Sequence, residues 1–171
     1  NTEGVKIYLA GGETADVGDI VRTLDVGFTI FTRMKRNDII DVNIKEGNVV
    51  VGLSSFGISS YEKQYNSGIG SNGLTSARHD VFSNYLADKY PESFDPLIPK
   101  ELVYKGNNKL TDLFKEYNLT FGQLVLSPTR TYLPIIQKLL SSCDKSKING
   151  IIHCTGGGQT KVLNFVNNIH I

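Results

Sequence analysis

The sequence predicts a mixed fold of the α+β (α/β-type) class, and three observations carry that expectation. Short apolar runs with strand character lie around residues 26–31, 49–53 and 150–154. A stretch beginning at Thr75 places Ala77, Val81, Tyr85 and Tyr90, joined by Phe82 and Leu86, on one face at helical spacing. The two kinds of segment alternate along the chain, as they do when helices and sheet share a core.

Taken in order, "VKIYLAGGETADVGDIV" runs from an apolar stretch into two glycines and an acidic, hydroxylated turn, as a strand followed by a functional loop would. In "LDVGFTIFTR", Val26, Phe28 and Ile30 alternate with Gly27, Thr29 and Phe31, so both faces carry apolar residues and the strand is expected to be buried on much of both. The connector "KRNDIIDVNIKEGNVV" holds the turn residues Asn37, Asp38 and Gly47, and a domain boundary is placed near residue 46. After it, a strand over 49–53 enters the polar loop Ser54, Ser55, Phe56, Gly57. "ISSYEKQYNSGIGSNGL" has too many glycines, serines and asparagines for a regular element and reads as a long loop.

The helix from Thr75 is the strongest in the sequence. Residues 91–122 are irregular and charged, with a short helix expected around "LTDLFKEY". In "SPTRTYLPIIQKLLSS", Ser127 can cap a second helix and Pro128 suits its first position, while Pro134 either kinks that helix or moves its start later. The last unit is a strand over about 150–154, three glycines, and a helix through "TKVLNFVNN".

Composition narrows the function. The 171 residues are 40% hydrophobic, enough for a packed core. Eighteen basic residues face seventeen acidic ones, so no global field would hold nucleic acid or an anionic membrane, and a small polar ligand is the expected partner. Cys143 and Cys154 lack disulfide-scaffold spacing and are expected to stay reduced, in a cytoplasmic protein. No apolar run reaches the roughly 20 residues of a membrane span. The chain begins without methionine and ends at "NNIHI", from which a piece of a longer protein is expected.

Four turns could carry chemistry. A strand that ends in Thr155, Gly156, Gly157 and Gly158 and restarts as a helix leaves N–H groups unpaired at the positive end of the helix dipole, where phosphate binds. Glycine suits such a nest because a Cβ would hold the ligand off the backbone; a tight turn explains the same residues, and both readings stand open. His153 could hydrogen-bond a ligand or be a satisfied half-buried imidazole. In "GGETAD", Glu13 and Asp16 flank Thr14 and could offer oxygens to magnesium carrying nucleotide phosphates, or serve as first-turn acids. In "GSNGL", Ser71 and Asn72 could cap the helix and Gly73 could admit a ligand to the backbone. Arg78, Arg130 and Lys161 are the basic groups nearest these loops, with surface solvation as the default for each.

In order, "GGETAD", "VVGLSSFG", "SNGL", "SPTRTY" and "HCTGGG" resemble the phosphoribosylformylglycinamidine cyclo-ligases, or aminoimidazole ribonucleotide synthetases, of purine biosynthesis. The resemblance runs over essentially the whole chain. It implies an aminoimidazole ribonucleotide synthetase-like fold: residues 1–46 as the tail of an ATP-binding, dimer-forming domain, and 47–171 as most of a mixed-sheet second domain with helices on one face. It implies ATP and Mg2+ as cofactors, formylglycinamidine ribonucleotide as substrate, a homodimer, and no nucleic-acid or membrane partner. Gly11, Gly12, Glu13 and Thr14 match the loop that handles ATP phosphates, with Glu13 as the metal ligand. Ser71, Asn72, Gly73, Thr155, Gly156, Gly157 and Gly158 match loops facing the substrate. His153 matches a histidine near the same cleft and is the one residue assigned to the catalytic set, in a positioning role. The family's earlier ATP-binding segments are not in this stretch, so the isolated chain is not expected to turn over.

Two departures accompany the resemblance. Gly70 stands where many members have histidine before the "SNG" serine, and "ISSYEKQYN" and "DKYPESFDPLIPKELVYKG" read as insertions of a divergent branch. The alternatives are another ATP-dependent enzyme of the same architecture, such as a formylglycinamidine synthase-like or thiamine-phosphate kinase-like protein, and a non-catalytic nucleotide-binding or assembly domain.

Overall fold

A computed structural model describes residues 6–18, 21, 23–127, 129–154 and 156–167, with Asn72 described by its backbone. Its regular elements are helices α1 (Ser71–Asp80), α2 (Tyr85–Lys89), α3 (Phe121–Val125) and α4 (Leu133–Ser142), and strands β1 (Leu113–Phe114) and β2 (Leu119–Thr120). The strands pair antiparallel, Leu113 opposite Thr120 and Phe114 opposite Leu119. Helices beside a small antiparallel sheet make this an α+β protein.

The core forms where the strongest helical pattern lies. Phe82, Leu86, Val103 and Tyr104 are buried together, with Ala77, Phe94, Leu110 and Phe121 among the side chains packed on them. The expected single helix is, however, two. Segment 103–108 takes the backbone groups that would have continued it: Lys105 N–H donates to His79 O at 2.8 Å, Gly106 N–H to Phe82 O at 3.0 Å, Asn108 N–H to Val81 O at 3.1 Å and Ser83 N–H to Asn108 O at 3.0 Å. Gly106 permits that approach, since a Cβ there would lie 2.2 Å from the Val81 carbonyl carbon. Tertiary pairing thus overrides a continuous local helix signal.

The segment "LTDLFKEY" is a hairpin rather than a helix. Asn118 takes a left-handed φ of 52° in its turn, a conformation asparagine tolerates better than most residues. The hairpin runs directly into α3 through a reciprocal capping box, in which Thr120 Oγ1 accepts from Gln123 N–H at 3.1 Å and Gln123 Oε1 accepts from Thr120 N–H at 2.8 Å. Tyr117 at the tip stacks on Tyr65 with centroids 3.7 Å apart.

Pro134 sits in the first turn of α4, so the later start is the one the chain takes. Ser127 does not cap α4; it is buried and its hydroxyl donates back to Gln123 O at 3.2 Å, at the end of α3. Pro128 lies outside the described residues. The final helix is a 3-10 helix, Gly158–Phe165.

The strands expected over 26–31, 49–53 and 150–154 form no ladder among the described residues. A strand exists through a neighbour's N–H and C=O groups, and the first two segments leave their apolar side chains in solvent, Phe28 83% and Ile30 86% exposed. The predicted burial of both faces is therefore not met within this chain. One tie joins the early segment to the late one: Asn43 N–H donates to Asn149 O at 2.8 Å, with Lys145 Nζ 2.5 Å from Asp38 Oδ1. Both cysteines are free and exposed. No helix among the described residues is long and apolar enough to cross a membrane.

Candidate active site

Of the motifs singled out in the sequence, three meet in space. The loop after residue 53 folds back on itself, with Gly57 and Asn66 exchanging backbone hydrogen bonds at 2.9 and 3.0 Å. It then reaches Gly70, the residue that precedes α1. Against it lies the "SPTRTY" segment. Arg130 Nη1 donates to Ser54 O at 2.9 Å, Thr129 Oγ1 to Ile69 O at 3.2 Å, and Tyr61 Oη to Thr131 O at 2.7 Å. Ser67 Oγ also bonds Leu124 O. The loop and segment 124–131 are thereby stitched at four points.

The centre of this junction is an ion pair. Arg130 Nε and Nη2 donate to Glu62 Oε1 and Oε2 at 2.9 and 2.8 Å, a parallel two-point geometry that only a guanidinium offers a carboxylate. The two side chains are 6% and 13% exposed. Glu62 accepts further bonds from Ser59 N–H at 2.7 Å and Asn66 Nδ2 at 3.1 Å. The Arg130 hydrogen bond above all, then that of Ser59, holds its carboxyl down at about 2. Arg130 is correspondingly pushed above its ordinary value, chiefly by Glu62. Solvation at the surface was the default expected for Arg130, and its burial corrects that.

Helix α1 begins at Ser71 behind Gly70, with no side chain capping it. The expected capping by Ser71 and Asn72 is thus not found: Gly70 occupies the N-cap, and Ser71 and Asn72 are the first helical residues. Leu74 N–H closes the first turn on Gly70 O at 2.8 Å. Ser71 and Gly73 are exposed, and their first-turn N–H groups have no earlier helical carbonyl to bond.

His153, which precedes the triple glycine, meets the ring of Tyr132 edge-on with centroids 6.4 Å apart. Gly157 and Gly158 take successive left-handed φ values of 82° and 56°, which favour glycine. Thr160 Oγ1 donates to Gly157 O at 2.6 Å and pins the turn. Nothing lies within 4 Å of the Cβ that Gly156 or Gly158 lacks. Thr155 lies outside the described residues.

The "GGETAD" loop stands apart. Gly11, Gly12, Glu13 and Thr14 are exposed and lie outside any helix or strand, and Glu13 has no hydrogen-bond or ion-pair partner among the described residues. Asp16 accepts from Gly18 N–H at 3.1 Å, and Val21 N–H donates to Val17 O at 2.9 Å. No group of three potential metal ligands forms among the described residues. A free carboxylate such as Glu13 still suits magnesium, which takes one or two protein carboxylates and completes its shell with phosphate and water.

A cavity of about 300 Å³ opens beside Glu62, between residues 62–66 and the side chains of Gln123, Leu126 and Ser127. None of the predicted site residues is among those lining it. Sequence reasoning also missed Glu62, which sits in a stretch that reads as an insertion, 68 residues from its partner. Its only sequence signal is an acid inside a long loop, and nothing local distinguishes it from a solvated one.

No family model matches the chain. It is 32% identical over 164 residues to a phosphoribosylformylglycinamidine cyclo-ligase of Methanococcus vannielii, covering 94% of this chain and 37% of that protein. It is 33% identical over 162 residues to one of Caldicellulosiruptor saccharolyticus, covering 91% and 38%. To one of Thermoplasma volcanium it is 32% identical over 155 residues, covering 89% and 35%. The chain spans little more than a third of the length of the curated relatives it matches.

Proposed function

We propose, from its likeness to phosphoribosylformylglycinamidine cyclo-ligases, that the chain belongs to that family and that the protein it represents closes formylglycinamidine ribonucleotide to aminoimidazole ribonucleotide with hydrolysis of ATP. The likeness to cyclo-ligases along about nine tenths of this chain carries the reading. In this reaction ATP phosphorylates the amide oxygen of the substrate, which turns a poor leaving group into phosphate. The amidine-side nitrogen attacks the activated carbon, the C–O bond breaks, and ADP and phosphate depart. Charge develops on phosphoryl oxygens and on the ring-closing carbon, so fixed donors and cations are the tools the site needs.

The chain's own residues divide that work. Gly11, Gly12, Glu13 and Thr14 take the ATP side: the glycines admit phosphate to the backbone, and Glu13 offers its free carboxylate to Mg2+, whose role is to neutralise the triphosphate. Ser71, Asn72 and Gly73 present first-turn N–H groups to the substrate. Gly156, Gly157 and Gly158 form a turn open enough for the ribose or phosphate of the nucleotide, supported by the two left-handed glycines and the clear space at Gly156 and Gly158; Thr155 is assigned to the same group by the resemblance alone. His153, braced on Tyr132, positions a polar group of the substrate.

The finer fold belongs to the same proposal. Residues 1–46 are the tail of an ATP-binding, dimer-forming domain and 47–171 most of a mixed-sheet, aminoimidazole ribonucleotide synthetase-like domain, in a cytoplasmic homodimer. The exposed apolar strands-in-waiting at 26–31 and 49–53 support a larger sheet in the complete protein. The test is direct: the complete protein, given formylglycinamidine ribonucleotide, ATP and Mg2+, yields aminoimidazole ribonucleotide, ADP and phosphate in equal amounts. ATP hydrolysis without ring closure, or no reaction, removes the reading.

A further inference from the structure

We infer that Arg130 and Glu62 are positioning residues for the substrate side of this site, a clasp that fixes the start of helix α1 against the segment bearing Tyr132 and His153. The inference rests on the cyclo-ligase reading and deepens it.

The pair is built to hold the protein, because each nitrogen of Arg130 and each oxygen of Glu62 bonds a protein group. Arg130 commits Nε and Nη2 to Glu62 and Nη1 to Ser54 O. Glu62 Oε1 receives Arg130 Nε and Asn66 Nδ2, and Oε2 receives Arg130 Nη2 and Ser59 N–H. The four acceptor positions of Glu62 are filled, and a carboxylate with four donors around it does not pick up a proton at neutral pH.

The pair does reach both substrate-side groups. On one side, Glu62 holds Asn66, whose Oδ1 accepts from Gly68 N–H at 2.7 Å; Thr129 then fixes Ile69 O, one residue before the N-cap of α1. Ser71 and Gly73 follow at once. On the other side, Arg130 lies two residues before Tyr132, against which His153 packs. A buried ion pair is a weak source of net stability compared with an apolar pair of the same volume, but its two-point geometry admits one arrangement. Among the described residues the "GGETAD" loop has no hydrogen bond or ion pair to this network.

The experiment compares the complete wild-type protein with Glu62→Gln, Arg130→Lys and Arg130→Ala, measuring kcat, KM for each substrate and thermal stability. The expected result is a rise of about 10-fold or more in KM for formylglycinamidine ribonucleotide in all three, from slight misplacement of binding groups, with KM for ATP within about 2-fold of wild type. Millimolar guanidinium restores part of the Arg130→Ala loss and none of the Arg130→Lys loss. A loss confined to kcat, with both KM values unchanged and activity following the folded fraction, overturns the inference and leaves the pair purely structural. If Arg130→Ala does not fold, the near-isosteric Glu62→Gln decides. If the wild type itself shows no ring closure, the cyclo-ligase reading has failed, and amide exchange in Glu62→Gln decides the clasp alone: faster exchange at Gly68 and Leu74 sustains it, unchanged exchange refutes it.

Discussion

Arg130 and Glu62, 68 residues apart in the chain, are joined by two parallel hydrogen bonds of 2.9 and 2.8 Å with little solvent around them. The carboxyl is held at about 2, against an ordinary 4.5. A carboxylate whose value is depressed on folding adds stability that is complete above its unfolded value and fades as pH falls toward the folded one. Wild type is therefore expected to lose stability relative to Glu62→Gln between about pH 4.5 and about pH 2, with the gap constant above pH 4.5. Urea midpoints of both proteins across that range check it, and parallel curves would show that the pair is open in solution.

His79 should give a second, separate pH dependence. Burial is the main force that lowers its value below the ordinary 6.5, followed by the nearby charge of Arg78. Its neutral Nδ1 faces Tyr104 N–H at 3.4 Å. A histidine kept neutral by the fold is fully accommodated above 6.5 and becomes a liability as pH falls through its lowered value. His79→Gln is expected to flatten the decline in stability below pH 6.5, read by thermal melts at steps of half a pH unit.

The core makes the largest single-residue prediction. Phe82 is buried where α1 breaks, and Phe82→Ala is expected to cost roughly 3–5 kcal/mol, from lost transfer free energy and the cavity left behind. Denaturant titration of the complete protein measures it, with Phe28→Ala, in an 83% exposed position, as the contrast expected to be near neutral unless a partner surface covers it.

Gly68 combines two constraints. Its φ is +64°, and an added Cβ would lie 2.2 Å from Ser55 O, a backbone atom that cannot swing away. Gly68→Ala is expected to destabilise by about 1–3 kcal/mol and to raise amide exchange in residues 57–70. Gly70→Ala, with nothing within 4 Å of its missing Cβ, is the matched control.

At the triple glycine, Gly157→Val is expected to weaken nucleotide substrate binding in the complete enzyme, since a branched side chain neither adopts φ of +82° easily nor leaves the turn open. Gly156→Ala, unhindered by protein, tests whether the ligand itself needs the space. Unchanged substrate affinity in both, with native melting, would place the ligand elsewhere.

The candidate loops were legible as motifs, and their geometry was not. "SPTRTY" and "SNGL" could be picked out because glycine, proline and hydroxyl residues cluster in turns and caps, yet nothing in their spacing says that Thr129 bonds Ile69 or that Arg130 is buried. Glu62 was invisible for the same reason: its partner is 68 residues away, and an acid in a polar loop reads as solvated until that partner is located.

The sequence by itself determined the mixed class, the core face carrying Ala77, Phe82 and Leu86, and the order of motifs that resembles the cyclo-ligases, because these depend on local periodicity and residue order; Pro134 left a kink and a later start both open, and the fold took the later start. Only the tertiary structure decided that the helix from Ser71 ends at Asp80, that "LTDLFKEY" is a hairpin, and that residues 26–31 and 49–53 find no strand to pair with among the described residues. Each of those outcomes turns on a backbone hydrogen bond between distant residues, made at Val81 by Asn108 and missing at Phe28. Such a bond depends on what else the fold brings alongside.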